Sequence, residues 1–302
     1  MPSNPLMAAT PRPFFRRIGK PIGLQLYTVA DAIEKDLDGT LARIAKLGIT
    51  DLELPGFFKR SPKDLRAAAD RAGVKFTSMH LFVPGPFTTD AITLSSPPQQ
   101  IADAMNALGI RNVVLPSAPT PEGFVFPKEG NLGLAVAAAM QAAGPDYWKK
   151  AADLLNERAT ALRPFGISLA YHNHNAEFQP LADGVRGWDI ILGETDPALV
   201  RIELDVGWVA AAGIDPAAEL RRLRGRVQAL HVKDIKASTK PNFTMQQDPA
   251  EAGSGIQNWK TLLPAAEAAG VSHYYIEQDP PFEHERMQAV INAYAFLSKV
   301  VA

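Results

Sequence analysis

From residue 21 to the C-terminus, short β-rich runs alternate with alanine- and leucine-rich runs of helical period, and the alternation repeats eight times. Candidate strands fall at 22–27, 50–54, 75–81, 112–115, 168–174, 201–206, 228–232 and 274–277. Helical patterns occupy 36–47, 61–72, 97–108, 146–163, 185–194, 216–224, 256–269 and 283–300. Gly48, Gly73, Gly109, Gly166 and Gly270 follow helical runs, where a left-handed C-cap ends a helix before the next strand. The strands are near-continuous apolar runs, as parallel strands covered on both faces require. Eight such units in 302 residues predict an α/β fold, a closed (β/α)8 TIM barrel forming a single domain over 21–302. An open doubly wound sheet would need fewer strands or a second domain, and no linker marks one.

The stretch 1–20 is proline-rich, carries Arg16 and Arg17, and lacks the apolar core of a signal peptide. It is expected to be a disordered or processed lead. Two connections, 116–145 and 236–255, are too long for turns and follow the fourth and seventh strands. That is the side on which barrels build active sites, so they are read as lids or substrate loops. An oligomer contact, and with it a homo-oligomer, is their other reading.

Composition narrows the chemistry. The chain has no cysteine, which removes disulfides, thiolate metal sites and cysteine nucleophiles, so any metal must be held by His, Asp and Glu. Thirty-one basic residues against 32 acidic ones give a net charge of -1, too little field to gather nucleic acid or an anionic membrane surface. The richest apolar stretch, 132–143, is too short to span a membrane. A cytoplasmic location is expected, or a periplasmic one if the prolyl N-terminus is what remains of a targeting peptide. The sequence has neither G-x-S-x-G nor H-E-x-x-H, which argues against a serine hydrolase and a zincin.

Nearly every strand ends in an ionisable residue, a costly choice at the end of an apolar run unless the residue is used. These are Glu53 in DLELPG, His80 in TSMHL, and His172, Asn173, His174 and Glu177 in YHNHNAEF. Glu203 and Asp205 follow in RIELDVGW, His231, Lys233 and Asp234 in LHVKD, and Glu277 in YYIEQD. Residues two apart on a strand share a face, so His172 pairs with His174 and Glu203 with Asp205. One inward ligand from each of strands five to eight would hold a single divalent cation, with room left for water or substrate. Oxygen and imidazole donors suit Mn²⁺, Mg²⁺, Co²⁺ or Zn²⁺ equally. Gly253-Ser254-Gly255 does not follow a strand and reads as a turn, not a phosphate cradle. Phe57, Phe58, Phe82, Trp208 and Phe282 are candidates for stacking on a sugar ring, although packing is the commoner use of any one of them.

The motifs GLQLYTV, YHNHNAEF, ELDVGWV with AAGIDP, HVKD, GSGIQNW and YIEQD, in this order, resemble those of the sugar phosphate isomerase/epimerase family of xylose-isomerase-like TIM barrels. The resemblance implies Asp205, His231 and Glu277 as metal ligands. The strand-five ligand, commonly a glutamate, falls on His172, so either His172 or a returning Glu177 completes the set. Apurinic endonucleases of the same superfamily carry further histidines. Here Trp208 stands at one such position and the loop from Lys236 has none, which leaves a one-metal site.

The resemblance further implies a metal-dependent isomerase or epimerase of a sugar or keto-sugar working through an enediolate. Glu277, Glu177 and His172 would be the catalytic groups. Glu53, His80, His174 and Lys233 would bind substrate, with Lys233 read equally as a partner of the barrel's own carboxylates. The alternatives are a lyase or hydratase of keto-sugars or 3-keto-glycosides, and a non-catalytic carbohydrate-binding barrel.

Overall fold

A computed structural model describes residues 12–85 and 88–302. Eight parallel strands close into one barrel: β1 (Gly23–Gln25), β2 (Asp51–Leu54), β3 (Lys75–His80), β4 (Asn112–Leu115), β5 (Ser168–His172), β6 (Val200–Asp205), β7 (Val227–Val232) and β8 (His273–Ile276). Each strand pairs with its sequence neighbours, and β1 pairs with β8 to close the ring. The expected (β/α)8 architecture is what the chain adopts. The strands are shorter than the apolar runs because ladder bonding stops where the chain turns outward. Residues 26–29, for example, leave β1 as a 3-10 turn.

All five expected helix-ending glycines have positive φ, from 68° at Gly166 to 95° at Gly48, the region a side chain disfavours. The helix expected at 146–163 follows a shorter apolar helix that begins at Leu132 inside the long connection, and a break at Gly144 (φ 71°, ψ -168°), where Pro145 follows, separates the two. The shorter one leans over the barrel mouth. The other long connection is pinned by a two-residue antiparallel pair, Asp234–Ile235 with Pro249–Ala250.

Two register shifts position the site. Thr77 is an extra residue of β3 opposite the step from Leu52 to Glu53, and Gln228 is an extra residue of β7 opposite the step from Ile202 to Glu203. Such bulges re-aim side chains. Here both lie beside a glutamate that ends up fully buried inside the barrel.

The expected lead at 1–20 differs from what the described residues show. Phe14–Ile18 form a helix with Phe14 and Phe15 buried edge-on against Tyr274, at 6.2 and 5.3 Å between ring centroids. Phe14 N–H donates to the Val300 carbonyl at 2.8 Å, and Arg17 pairs with Glu267 at 2.8 Å. Two adjacent phenylalanines bury too much apolar surface to stay in water, so the ordered fold begins before residue 21. The rest of that expectation, residues 1–11, lies outside the described residues.

The turn reading of Gly253-Ser254-Gly255 holds. Buried Asp234 accepts from the N–H groups of Gly253 (3.0 Å), Gly255 (3.3 Å) and Gln257 (3.0 Å) and from the Trp259 indole (2.9 Å), so these amides are spent on a carboxylate of the chain itself. Gly255 must be glycine because a Cβ there would lie 2.4 Å from the Ile235 carbonyl. Asp234→Ala is expected to destabilise the fold by about 3 kcal/mol or more, since it orphans several buried donors at once. A chemical-denaturation midpoint unchanged from wild type would refute this.

Candidate metal centre and active site

Of the nine residues singled out as ligands, catalytic groups or substrate groups, eight meet at the C-terminal mouth of the barrel, all but Glu177. In a buried layer, His231 Nε2 lies 2.7 Å from Glu53 Oε1 and 3.1 Å from Glu203 Oε1. His80 Nε2 lies 3.2 and 3.0 Å from the same two oxygens, and His172 Nδ1 lies 3.1 Å from Glu203 Oε1. Gln25 adds a donor to Glu53 at 2.8 Å. Burial works against every charge here, and opposite charge overcomes it. Glu53 is held well below the usual carboxylate range, Glu203 falls to about 2, His80 rises to about 9 and His231 rises well above an ordinary imidazole. Two carboxylates against two imidazoliums leave the layer neutral.

His80 carries a stability consequence. Its folded pKa exceeds the unfolded value near 6.5, so its contribution is complete below pH 6.5 and is lost as pH rises through 9. The metal-free protein is expected to lose on the order of 3 kcal/mol across that window. A His80→Gln variant whose denaturation free energy falls just as steeply would overturn the assignment.

Above this layer, Asp205 Oδ2, His231 Nδ1 and Glu277 Oε2 lie within 4.8 Å of one another. His231 Nδ1 is 2.8 Å from Glu277 and 3.8 Å from Asp205, and His172 Nε2 is 3.9 Å from Asp205. Asp205 works at both ends. Its Oδ1 caps the helix Val206–Ala211 by accepting from Gly207 N–H (2.9 Å) and Trp208 N–H (3.0 Å), while Oδ2 accepts no well-formed hydrogen bond.

The ammonium of Lys233 fills the space beside that oxygen, 2.8 Å from Asp205, 2.8 Å from Glu277 and 2.7 Å from Asp279. Of its two sequence readings, the partner of the barrel's own carboxylates is the one the contacts show. Gly207 makes room for it, since a Cβ there would lie 2.5 Å from Lys233 Cγ. Burial opposes the charge of Lys233, but Asp205, Asp279 and Glu277 outweigh it and hold the ammonium well above its usual range. Burial likewise opposes the charge of Glu277, but Lys233 and His231 hold it well below the usual carboxylate range, while burial pushes Asp205 up to about 6.

The strand-five region divides. His172 and His174 both line the cavity; burial lowers both, His172 well below an ordinary imidazole and His174 to about 3, so both are neutral. His174 Nδ1 is buried without a partner. Glu177 is elsewhere: its carboxylate accepts from Tyr171 Oη and His174 N–H, each at 2.9 Å, and it is not among the residues lining the cavity. The 3-10 turn Ala176–Phe178 folds it back onto β5. Of the aromatics, Phe82 lines the cavity, Trp208 carries Lys233 over its ring at 5.1 Å, Phe282 lies under Arg286, and Phe57 and Phe58 pack with the core.

Sequence reasoning missed Asp279 and Gln25. Asp279 lies two residues past Glu277, beyond the end of β8, and Gln25 is the last residue of β1; extending the search for polar residues at every strand end finds both. Gln247, which donates to Asp279, comes from the distant loop and has no local signal.

Residues 41–298 match the sequence profile of the xylose isomerase-like TIM barrel. The chain belongs to that family. Xylose isomerase-like barrels similar to it include a sugar phosphate isomerase/epimerase from Parabacteroides distasonis, with a TM-score of 0.72 at 23% identity over 99% of this chain and 98% of that one. The IOLI protein, solved with a bound zinc atom, superposes with a TM-score of 0.61 at 16% identity, covering 92% of this chain and 98% of that one. Inosose dehydratase of Geobacillus kaustophilus is 24% identical over 205 residues, 66% of this chain and 62% of the relative. That of Clostridium beijerinckii is 30% identical over 92 residues, 30% of each. The chain thus covers less than two thirds of the curated relatives it matches. In this xylose isomerase-like barrel, His80, His172, Glu203 and His231 form one buried group, and Asp205, His231 and Glu277 another, that could hold a metal ion. No helix among the described residues is long and apolar enough to cross a membrane.

Proposed function

We propose that this barrel is a divalent-metal-dependent lyase of the dehydratase type, acting on a keto-sugar or a close polyol relative. The residues fit a cation. Asp205 Oδ2, His231 Nδ1 and Glu277 Oε2 converge, and a positive charge already answers the two carboxylates. Asp205, His231 and Glu277 would hold it, with His172 as the strand-five ligand, and His231 would give up its Nδ1 proton to do so. A cation held there supplies Lewis-acid polarisation of the substrate carbonyl.

The observation that carries the reading is the unlike character of the groups around the cavity. His174 is a neutral imidazole on the cavity wall, and its ring would take the proton next to the carbonyl. The Lys233 ammonium faces the negative charge that gathers on the carbonyl oxygen. The imidazolium formed on His174 can return the same proton to a departing hydroxyl on that face, which leaves a carbon–carbon double bond and water. Glu177, Tyr171 and the His174 amide hold the β5 turn that aims His174. Glu53, His80 and Glu203 support His231 from beneath.

Epimerisation is the second reading, and the Glu277 carboxylate on the cavity wall favours it, because epimerisation needs a second proton carrier on the opposite face. Incubating the metal-loaded protein with keto-sugars and keto-inositols in D₂O separates the two. An unsaturated product supports the lyase, and a deuterated stereoisomer supports the epimerase. His174→Gln is expected to lower kcat by roughly 10²–10⁴ with the fold retained; full activity in this variant would remove His174 from the reaction.

A further inference from the structure

The cavity, about 380 Å³, has two unlike sides. One carries His172, His174, Lys233, Glu277 and Asp279. The other presents Phe82, Val136, Met140 and Met245, with Ser117 and Thr120 as the hydroxyl-bearing side chains near them. A sugar ring has hydroxyls around its whole edge, and burying them against such a wall would leave them without partners. Among the described residues no arginine lines the cavity, and its lysine stands among three carboxylates, whose charge disfavours a dianionic phosphate there.

Apart from Phe82, the apolar wall is built by the two long connections acting together. They touch where a Cβ on Gly133 would lie 3.0 Å from Met245 Cβ. Met245 has φ 53°, a left-handed conformation disfavoured for a residue with a side chain. Fully buried Asn175 holds it there: Asn175 Oδ1 accepts from Met245 N–H at 2.9 Å, while Nδ2 donates to the Asn242 carbonyl at 3.0 Å and to its side-chain oxygen at 2.9 Å. A strained residue fixed by a buried amide, with Met245 itself on the cavity wall, marks a surface shaped for contact.

We infer that this wall is a subsite for an apolar aglycone, so that the substrate is a neutral glycoside bearing an aryl or similarly apolar group. The sugar end of this inference rests on the reading of a sugar-acting site above. The aglycone end rests on the wall alone.

Calorimetric titration of the metal-loaded full chain with phenyl β-D-glucopyranoside, methyl β-D-glucopyranoside and glucose 6-phosphate tests it, because these unoxidised probes report binding without turnover. The phenyl glycoside is expected to bind about tenfold or more tighter than the methyl one, as burial of a ring against such a wall implies. Met245→Gln is expected to bring that ratio to within about threefold. Met140→Gln, on the other loop, should do the same and keeps the test open if one variant fails to fold. Equal affinities, absence of binding by both glycosides, preference for the phosphate, or an unchanged ratio in the folded variants would overturn the subsite. The D₂O product assay is independent of this readout. A phenyl preference without an unsaturated product leaves the subsite standing and removes the lyase. An unsaturated product with equal affinities does the reverse.

Discussion

Asp205→Ala is expected to abolish stoichiometric divalent-cation binding and to lower kcat/KM by on the order of 10³-fold or more, because it removes a charged donor from the proposed ligand set. The same change deletes a helix cap, since Asp205 Oδ1 accepts from Gly207 and Trp208. A further loss of about 1–2 kcal/mol in stability should follow. Asp205→Asn separates the two roles. It keeps an oxygen for the cap but loses the charge at Oδ2, so the cap should survive while the pairing with Lys233, metal content and turnover are lost. If Asp205→Asn retains full metal stoichiometry by elemental analysis, the ligand assignment fails even if the fold is intact.

Lys233→Met should produce the second large effect. The ammonium is fully buried and lies within 2.8 Å of oxygens of Asp205, Glu277 and Asp279. Removing it leaves negative charge crowded in a dry site, which costs about 3–5 kcal/mol when one partner of a buried pair is deleted. That loss belongs to the metal-free protein. Added divalent cation should restore much of it, because the cation answers the same carboxylates. Turnover should remain roughly 10²–10³-fold down even in the metal-loaded variant, since the donor facing the carbonyl oxygen is gone. A variant as stable as wild type without metal would mean that the carboxylates share a proton instead of relying on Lys233. A stable variant with full turnover would leave the lysine no part in the chemistry.

Much of this was legible along the chain. A strand buried on both faces must be apolar throughout, so Glu53, His80, His172, Asp205, His231 and Glu277 stood out as interruptions, and the barrel gathers all of them at one mouth. The glycine caps were legible for a similar reason, because few other residues adopt positive φ at a helix end. Helix limits were less so. The two phenylalanines at 14 and 15 sit in a proline-rich segment whose composition says little about packing.

Glu177 shows where local pattern stops being informative. In YHNHNAEF it is one more acid close to the ligand positions, and only the fold back through Ala176–Phe178 directs it to Tyr171 and away from the cavity. Asp279 and Gln247 make the converse point, since they join the site across 32 residues of chain. Met245 and Val136 share a cavity wall although more than a hundred residues separate them.

By itself, the sequence determined the closed barrel, the absence of any thiolate chemistry and the set of residues from which a metal site must be made. Periodicity and composition act locally and are readable residue by residue. The tertiary structure alone decided which carboxylates face Lys233, which histidines stay neutral and which side of the cavity is apolar. Those properties depend on burial and on distances between strands and loops remote in the chain, and both electrostatics and desolvation are set by such distances.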